Sequence, residues 1–165
     1  MIIVKLIKKN FFLEESDFQS LNSKGFGTNN GKIYELSIFE VLYLLEKDKI
    51  KVINKNQEKV KFETIVKKLD SKLDYIVYKD LKSKGYNIQS GVKFGFRFRI
   101  YDKGIKIGDD HSLWLVEPIS ELKTIKISEL VGKIRIANTT KKKMLLAVVD
   151  TDLNVSYFEQ SWKRT

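Results

Sequence analysis

The chain has 165 residues and a mass of 19.3 kDa, with 42% hydrophobic and 32% charged residues; this suits one ordinary domain or two very small ones and excludes a disordered chain. It has no cysteine and a single histidine, which excludes disulfides, thiolate zinc sites, cysteine nucleophiles and histidine-held metal centres built within one subunit. The net charge of +10 is uneven: residues 1–74 hold 14 Lys against 11 acids, while residues 75–165 hold 17 Lys and Arg against 10 acids and contain all four Arg, a field that attracts polyanions such as nucleic acid.

No apolar run approaches the roughly 18 residues a membrane helix needs. The first apolar run, Ile2–Val4, precedes lysines and then acids, an order unlike a secretory signal. The expectation is a soluble, cytoplasmic protein.

Residues 1–34 alternate short apolar runs with turn-formers such as Gly25, Gly27, Asn29 and Gly31 and read as short strands joined by loops. Ser37 and Glu40 then form a capping-box pair, with Ile38, Val41, Leu42 and Leu45 recurring at helical spacing. Lys49–Ile53 reads as a strand, Asn54–Gln57 as a turn and Phe62–Leu69 as a short helix. A further helix over Ser71–Lys84 shows Leu73, Ile76, Val77 and Leu81 on one face and ends at Gly85. A domain boundary is expected near residue 70.

From Tyr86 the pattern changes to strands. Tyr86–Gln89 and a Ser90–Gly91 turn precede a long predicted strand from Val92 to Tyr101. There Phe94, Phe96, Phe98 and Ile100 fall on one face, and Lys93, Arg97 and Arg99 on the other. A loop from Asp102 to Asp110 leads to a predicted strand His111–Glu117, ended by the only proline, Pro118. Ile127, Leu130, Val131, Ile134 and Ala137 mark a helix entered at Ser128. Met144–Val149 suits a buried strand and Val155–Phe158 a last one. The class is therefore an α+β N-terminal domain (1–70) followed by a mixed α/β domain (71–165).

Three polar signals stand at the ends of neighbouring elements. His111 is the one side chain of the type that serves as general acid or base near neutral pH, and it has acids beside it, although a surface histidine beside acids fits the same pattern. Tyr101 ends a predicted strand and opens the same loop. One lysine of Lys141–Lys143 could project onto a phosphate while its neighbours supply field, or the run could be a solvated turn. Tyr, His and Lys together suffice to cleave RNA without a metal. One group takes the proton of the attacking 2′-hydroxyl, another protonates the leaving 5′-oxygen, and a cation stabilises the charge developing on phosphorus. Asp102, Asp109 and Asp110, with a nearby lysine, leave a metal-dependent nuclease of the restriction-enzyme type as a rival.

Tyr75–Tyr101 (YIVYKDLKSKGYNIQSGVKFGFRFRIY), with DDHSLWLV at 109–116, SELVGKIRIANTTKKKMLLAVVD at 128–150 and LSIFEVLYLL at 36–45, resembles the archaeal tRNA-intron splicing endonucleases in order and spacing over most of the chain. The resemblance implies a restriction-endonuclease-like catalytic domain of the tRNA-intron endonuclease type. It implies Tyr101 as general base, His111 as general acid and Lys142 as transition-state stabiliser, with no metal or other cofactor. The substrate it implies is precursor tRNA, cut at bulge-helix-bulge-like sites to leave 2′,3′-cyclic phosphate and 5′-hydroxyl ends. It also implies Arg135 and Trp162 as the clamp on a flipped substrate base. Arg97 stands where the family usually carries an acid. Asp150 and Asp152 occupy the place of the family's acidic assembly loop, but sparsely. The resemblance implies a homotetramer or a heterotetramer completed by a structural subunit, and the sparse loop favours the heterotetramer. The alternative within the family is a non-catalytic RNA-binding or assembly subunit.

Overall fold

The structure, a computed structural model, describes residues 1–105 and 111–165. The chain divides into two compact units, Met1–Lys72 and Leu73–Thr165.

In the first unit β1 (Ile2–Ile7), β2 (Asn10–Leu13), β3 (Thr28–Asn30), β4 (Ile33–Leu36) and β5 (Ile50–Ile53) form one sheet in the order β3-β4-β2-β1-β5. Only β1 and β5 run parallel, with Val4 opposite Val52. Both valines are fully buried, while Ile3 and Ile7, on the opposite side of the pleat, are exposed. Three helices complete the unit: α1 (Glu15–Asn22), α2 (Ile38–Glu46) and α3 (Phe62–Val66).

The capping box forms as its sequence predicts. Ser37 Oγ accepts from the Glu40 N–H, and Glu40 Oε2 accepts from the Ser37 N–H at 2.7 Å. Glu40 is buried, and its other oxygen accepts the N–H of Gly27 at 2.7 Å. One carboxylate therefore starts a helix and holds the loop before β3. Gly27 has φ +81°, and a Cβ there would lie 3.0 Å from the Phe18 ring, so glycine is required. Helix α1 corrects the reading of residues 1–34 as strands and loops alone. It has no side-chain cap and buries only Phe18 and Leu21, too few apolar positions for a helical period to stand out.

The second unit begins with α4 (Lys72–Ser83), followed by β6 (Asn87–Ser90), β7 (Phe98–Tyr101), β8 (Trp114–Ser120), α5 (Ile127–Thr139), β9 (Lys143–Val149) and β10 (Val155–Gln160). The sheet order is β10-β9-β8-β7-β6. It is antiparallel except for β8 and β9, which run parallel and are joined by α5. Leu115 and Met144 pair in register and pack with Ala137, Leu130 and Ile134 of α5. Phe98 faces the other way and meets the Tyr78 ring of α4 at 5.9 Å, and the Tyr157 hydroxyl donates to Asp80 of α4 at 2.6 Å. The sheet thus lies between the two helices. Lys133 fastens α5 across it, donating to Glu117 at 2.9 Å and to the Gly95 carbonyl at 2.8 Å.

Four readings of this half need correction. The strand predicted from Val92 is a 3-10 turn over Val92–Phe94, followed by Gly95 at φ +77°; only Phe98–Tyr101 joins the sheet. The N–H groups of Phe94 and Phe96 both donate to the Gly91 carbonyl, curling the segment. A Cβ on Gly91 would come within 2.6 Å of the Phe98 carbonyl oxygen, so the curl depends on glycine there. Pro118 does not end β8. It lies within it, opposite Ala147 of β9, and β7 pairs with β8 only as far as Val116, so proline sits where one side of the strand has no ladder to break. Helix α5 is entered from Lys126, which has no side-chain cap, and Ser128 lies inside its first turn. In α4 the buried residues are Asp74, Tyr75, Val77, Tyr78 and Leu81, so Leu73 and Ile76 stand at the margin of the face and not at its centre. Asp74 is drawn inward by Arg97, whose Nε lies 2.7 Å from its carboxylate.

Candidate active site

Three strand ends meet at one edge of the second sheet. The Leu113 N–H donates to the Ile100 carbonyl of β7 at 3.0 Å, and the Leu113 carbonyl accepts from Lys143 of β9 at 3.0 Å. That ladder sets Tyr101, the segment His111–Ser112 and Lys142 side by side across β7, β8 and β9. Asp109 and Asp110, considered as metal ligands with Asp102, lie outside the described residues. Among the described residues no three His, Asp or Glu side chains gather as a metal site would need, and Asp102 is exposed and caps the Lys103 N–H at 2.8 Å.

Tyr101 is buried, and its hydroxyl donates to Gln89 Oε1 of β6 at 3.1 Å. Asn87, opposite Tyr101 in register, donates to the Ile105 carbonyl at 2.6 Å and ties down the start of the following loop. His111 is exposed and directly precedes Ser112, which is buried.

The three lysines have separate environments because Lys141 takes φ +57° and turns the chain between α5 and β9. Lys141 is exposed, and Lys143 pairs with Glu159 of β10 at 2.8 Å. Lys142 Nζ donates to the Ser112 carbonyl at 3.2 Å and lies 5.6 Å from the Phe94 ring centroid. Burial first, then the charges of Arg99 and Lys93, hold its pKa below the ordinary lysine value. Glu159 is held below the usual carboxylate range, chiefly by Lys143 and next by the Trp114 indole N–H, which donates to it at 2.8 Å.

Arg135 and Trp162 stand on different elements. Arg135 is exposed on α5, and Trp162 is exposed beyond β10 with the Arg164 guanidinium 5.9 Å from its ring centroid. At the turn between β9 and β10, Asp150 accepts the N–H groups of Asp152 and Asn154 at 2.9 and 2.8 Å. These bonds, the backbone of Asn154 foremost, depress its pKa. Asp150 thus shapes its own turn, while Asp152 is exposed. Gln89, the buried Ser112 hydroxyl and Phe94 also stand at this edge. The first two carry no sequence signal, and Phe94 fits the alternation of a strand.

A sheet with polar groups of complementary acid–base type at three neighbouring strand ends, in a unit of positive charge, has the makings of a catalytic α/β domain acting on an anionic substrate. The family model described as "tRNA intron endonuclease, catalytic C-terminal domain" matches residues 71–157, and "tRNA intron endonuclease, N-terminal domain" matches residues 4–66. The chain belongs to the tRNA intron endonuclease family. It is 37% identical over 155 residues to the tRNA-splicing endonuclease of Thermococcus onnurineus, covering 90% of this chain and 88% of that one. It is 38% identical over 146 residues to that of Pyrococcus furiosus, covering 86% and 84%, and 34% identical over 167 residues to that of Methanococcus maripaludis, covering 98% and 94%. No helix among the described residues is long and apolar enough to cross a membrane.

Proposed function

We infer that this chain is an RNA endonuclease that excises introns from precursor tRNA, cutting at bulge-helix-bulge-like sites without a metal. The observation that carries the reading is the alignment of Tyr101, His111 and Lys142 on three adjacent strand ends tied together through Leu113. Gln89 fixes the Tyr101 oxygen at 3.1 Å; to act as general base Tyr101 first gives up its own proton to solvent, and the phenolate oxygen then receives the proton of the 2′-hydroxyl. The 2′-oxygen attacks the adjacent phosphorus, His111 protonates the departing 5′-oxygen, and Lys142 offsets the charge building on the non-bridging oxygens. The products are a 2′,3′-cyclic phosphate and a 5′-hydroxyl. Arg135 and Trp162 are proposed to hold an unpaired substrate base. The five-stranded mixed sheet with α4 and α5 on its two faces supports a restriction-endonuclease-like core, with residues 1–70 as an N-terminal domain and 71–165 as the catalytic domain.

The test is incubation with an intron-containing precursor tRNA in excess EDTA. Expected are cuts at both intron boundaries with cyclic-phosphate ends, blocked by a 2′-deoxy substitution at the cut nucleotide. Strict dependence on Mg²⁺, or a 5′-phosphate product, defeats the reading. Two cuts per intron call for two catalytic copies, and the occupation of Asp150 by its own turn favours a heterotetramer in which a structural partner supplies the acidic contact. The isolated chain then cleaves weakly and gains activity on adding that partner; full activity as a homotetramer overturns the assembly and leaves the chemistry standing.

A further inference from the structure

The corner where the Val92–Phe94 turn, β7 and the start of β9 meet gathers positive charge without matching acid among the described residues. Lys93 Nζ lies 4.9 Å and Lys142 Nζ 5.6 Å from the centroid of one ring, that of Phe94. Arg99 stands on the face of β7 shared with Gln89 and Leu115. None of these three cations has an ion-pair partner among the described residues. Arg97, two residues earlier, shows the contrast, since it is neutralised internally by Asp74. Two polar atoms at the corner are also buried with no hydrogen-bond partner among the described residues: Arg99 Nε and Ser112 Oγ. Ser112 is 4% exposed, and its carbonyl is the group that receives Lys142 Nζ.

Clustered like charges repel, and a buried donor without an acceptor is costly to keep. Both penalties vanish together when an anion with several acceptor oxygens enters. A guanidinium, an ammonium and a hydroxyl are the donor set that a phosphodiester takes. We propose that Arg99, Lys93 and the Ser112 hydroxyl form, beside Lys142, a binding site for an RNA backbone phosphate next to the one that is cut. The nature of the ligand rests on the endonuclease reading; the site itself rests on the unpaired donors. Lys142 is left to the reacting phosphate. An anion held there also relieves the repulsion that now disfavours the charged form of Lys142.

The test measures binding of a precursor tRNA carrying a 2′-deoxy cut nucleotide, by fluorescence anisotropy across a salt series. Lys93→Gln and Arg99→Gln are each expected to weaken binding about tenfold and to reduce the slope of log K against log salt by about 0.7–0.9, the value of one lost phosphate contact. Arg99→Lys should keep the slope, because it keeps the charge, and recover part of the affinity. A purely structural role for Arg99 would not move the slope. Lys93 is exposed on its turn, so Lys93→Gln carries the test even where Arg99→Gln fails to fold. Wild-type affinity and slope in both Gln variants overturn the site, and metal-free cleavage by the parent protein then shows that the endonuclease reading survives. Reduced slopes alongside a parent that does not cut in EDTA defeat that reading and leave the phosphate site in place.

Discussion

Burial against Ser112 and the nearness of Arg99 and Lys93 disfavour the ammonium form of Lys142, so its proton is held less tightly than in an ordinary lysine. The sign for stability follows. A base with a depressed folded pKa penalises folding while it is charged in both states, and the penalty fades as pH rises through the folded value toward the ordinary 10.5. In an alkaline NMR titration the Lys142 side chain should lose its proton ahead of the exposed lysines, and Arg99→Gln should move that midpoint upward; a midpoint level with the other lysines contradicts this account. His111→Ala should cut the cleavage rate by roughly 10²–10⁴-fold, the worth of a positioned proton donor. Its far-UV spectrum should stay that of the parent, since His111 is exposed and outside the strands. Undiminished cleavage by the folded variant would make the histidine a bystander. Tyr101, His111 and the lysine run were legible as residues because their chemistry is written in their type. The partners that orient them, Gln89 and the Ser112 carbonyl, were not, because they come from strand pairing.

Among the elements, α2 and the pair Phe98–Ile100 were readable because each obeys one period locally, a capping box in one case and a pleat in the other, whereas Phe96 precedes the strand and packs on the α5 side. The failures share a cause. The turn at Val92–Phe94, the run of β8 through Pro118 and the inward rotation of α4 are each decided by a contact distant in sequence. Those contacts are the Gly91 approach to Phe98, the ladder with β9, and the Arg97–Asp74 pair. In this pair Asp74 is buried and Arg97 part-exposed. Arg97→Ala removes one charged partner of a buried carboxylate and should lower stability to urea by about 1–3 kcal/mol, below the full value for a wholly buried pair. Replacing both residues by leucine should recover part of the loss. A single variant as stable as the parent would show the pair to be incidental.

At the scale of the whole molecule, charge and chemistry fall in the same unit. Residues 75–165 carry most of the excess positive charge, and the three strand ends belong to that unit. The two units differ in how their sheets close. In the first, the parallel pair β1–β5 spans most of the unit's chain; in the second, the parallel pair β8–β9 spans only the α5 crossover. Their division, after Lys72, falls at the start of α4, and no proline- or serine-rich linker marks it in the sequence.

That α5 crossover bears on the order of events during folding. Hairpin neighbours such as β9 and β10 meet through a short turn and close early, whereas β8 and β9 can pair only after some twenty intervening residues have been brought round, which is entropically slow. Lys142 takes its position against Ser112 only with that late pairing. A refolding chain should therefore acquire its positive surface before its candidate reactive centre, and capture RNA before it is able to cut. In stopped-flow refolding, RNA binding should rise with the early helical signal and cleavage competence should lag behind it; simultaneous recovery of the two would show that the parallel pair forms first.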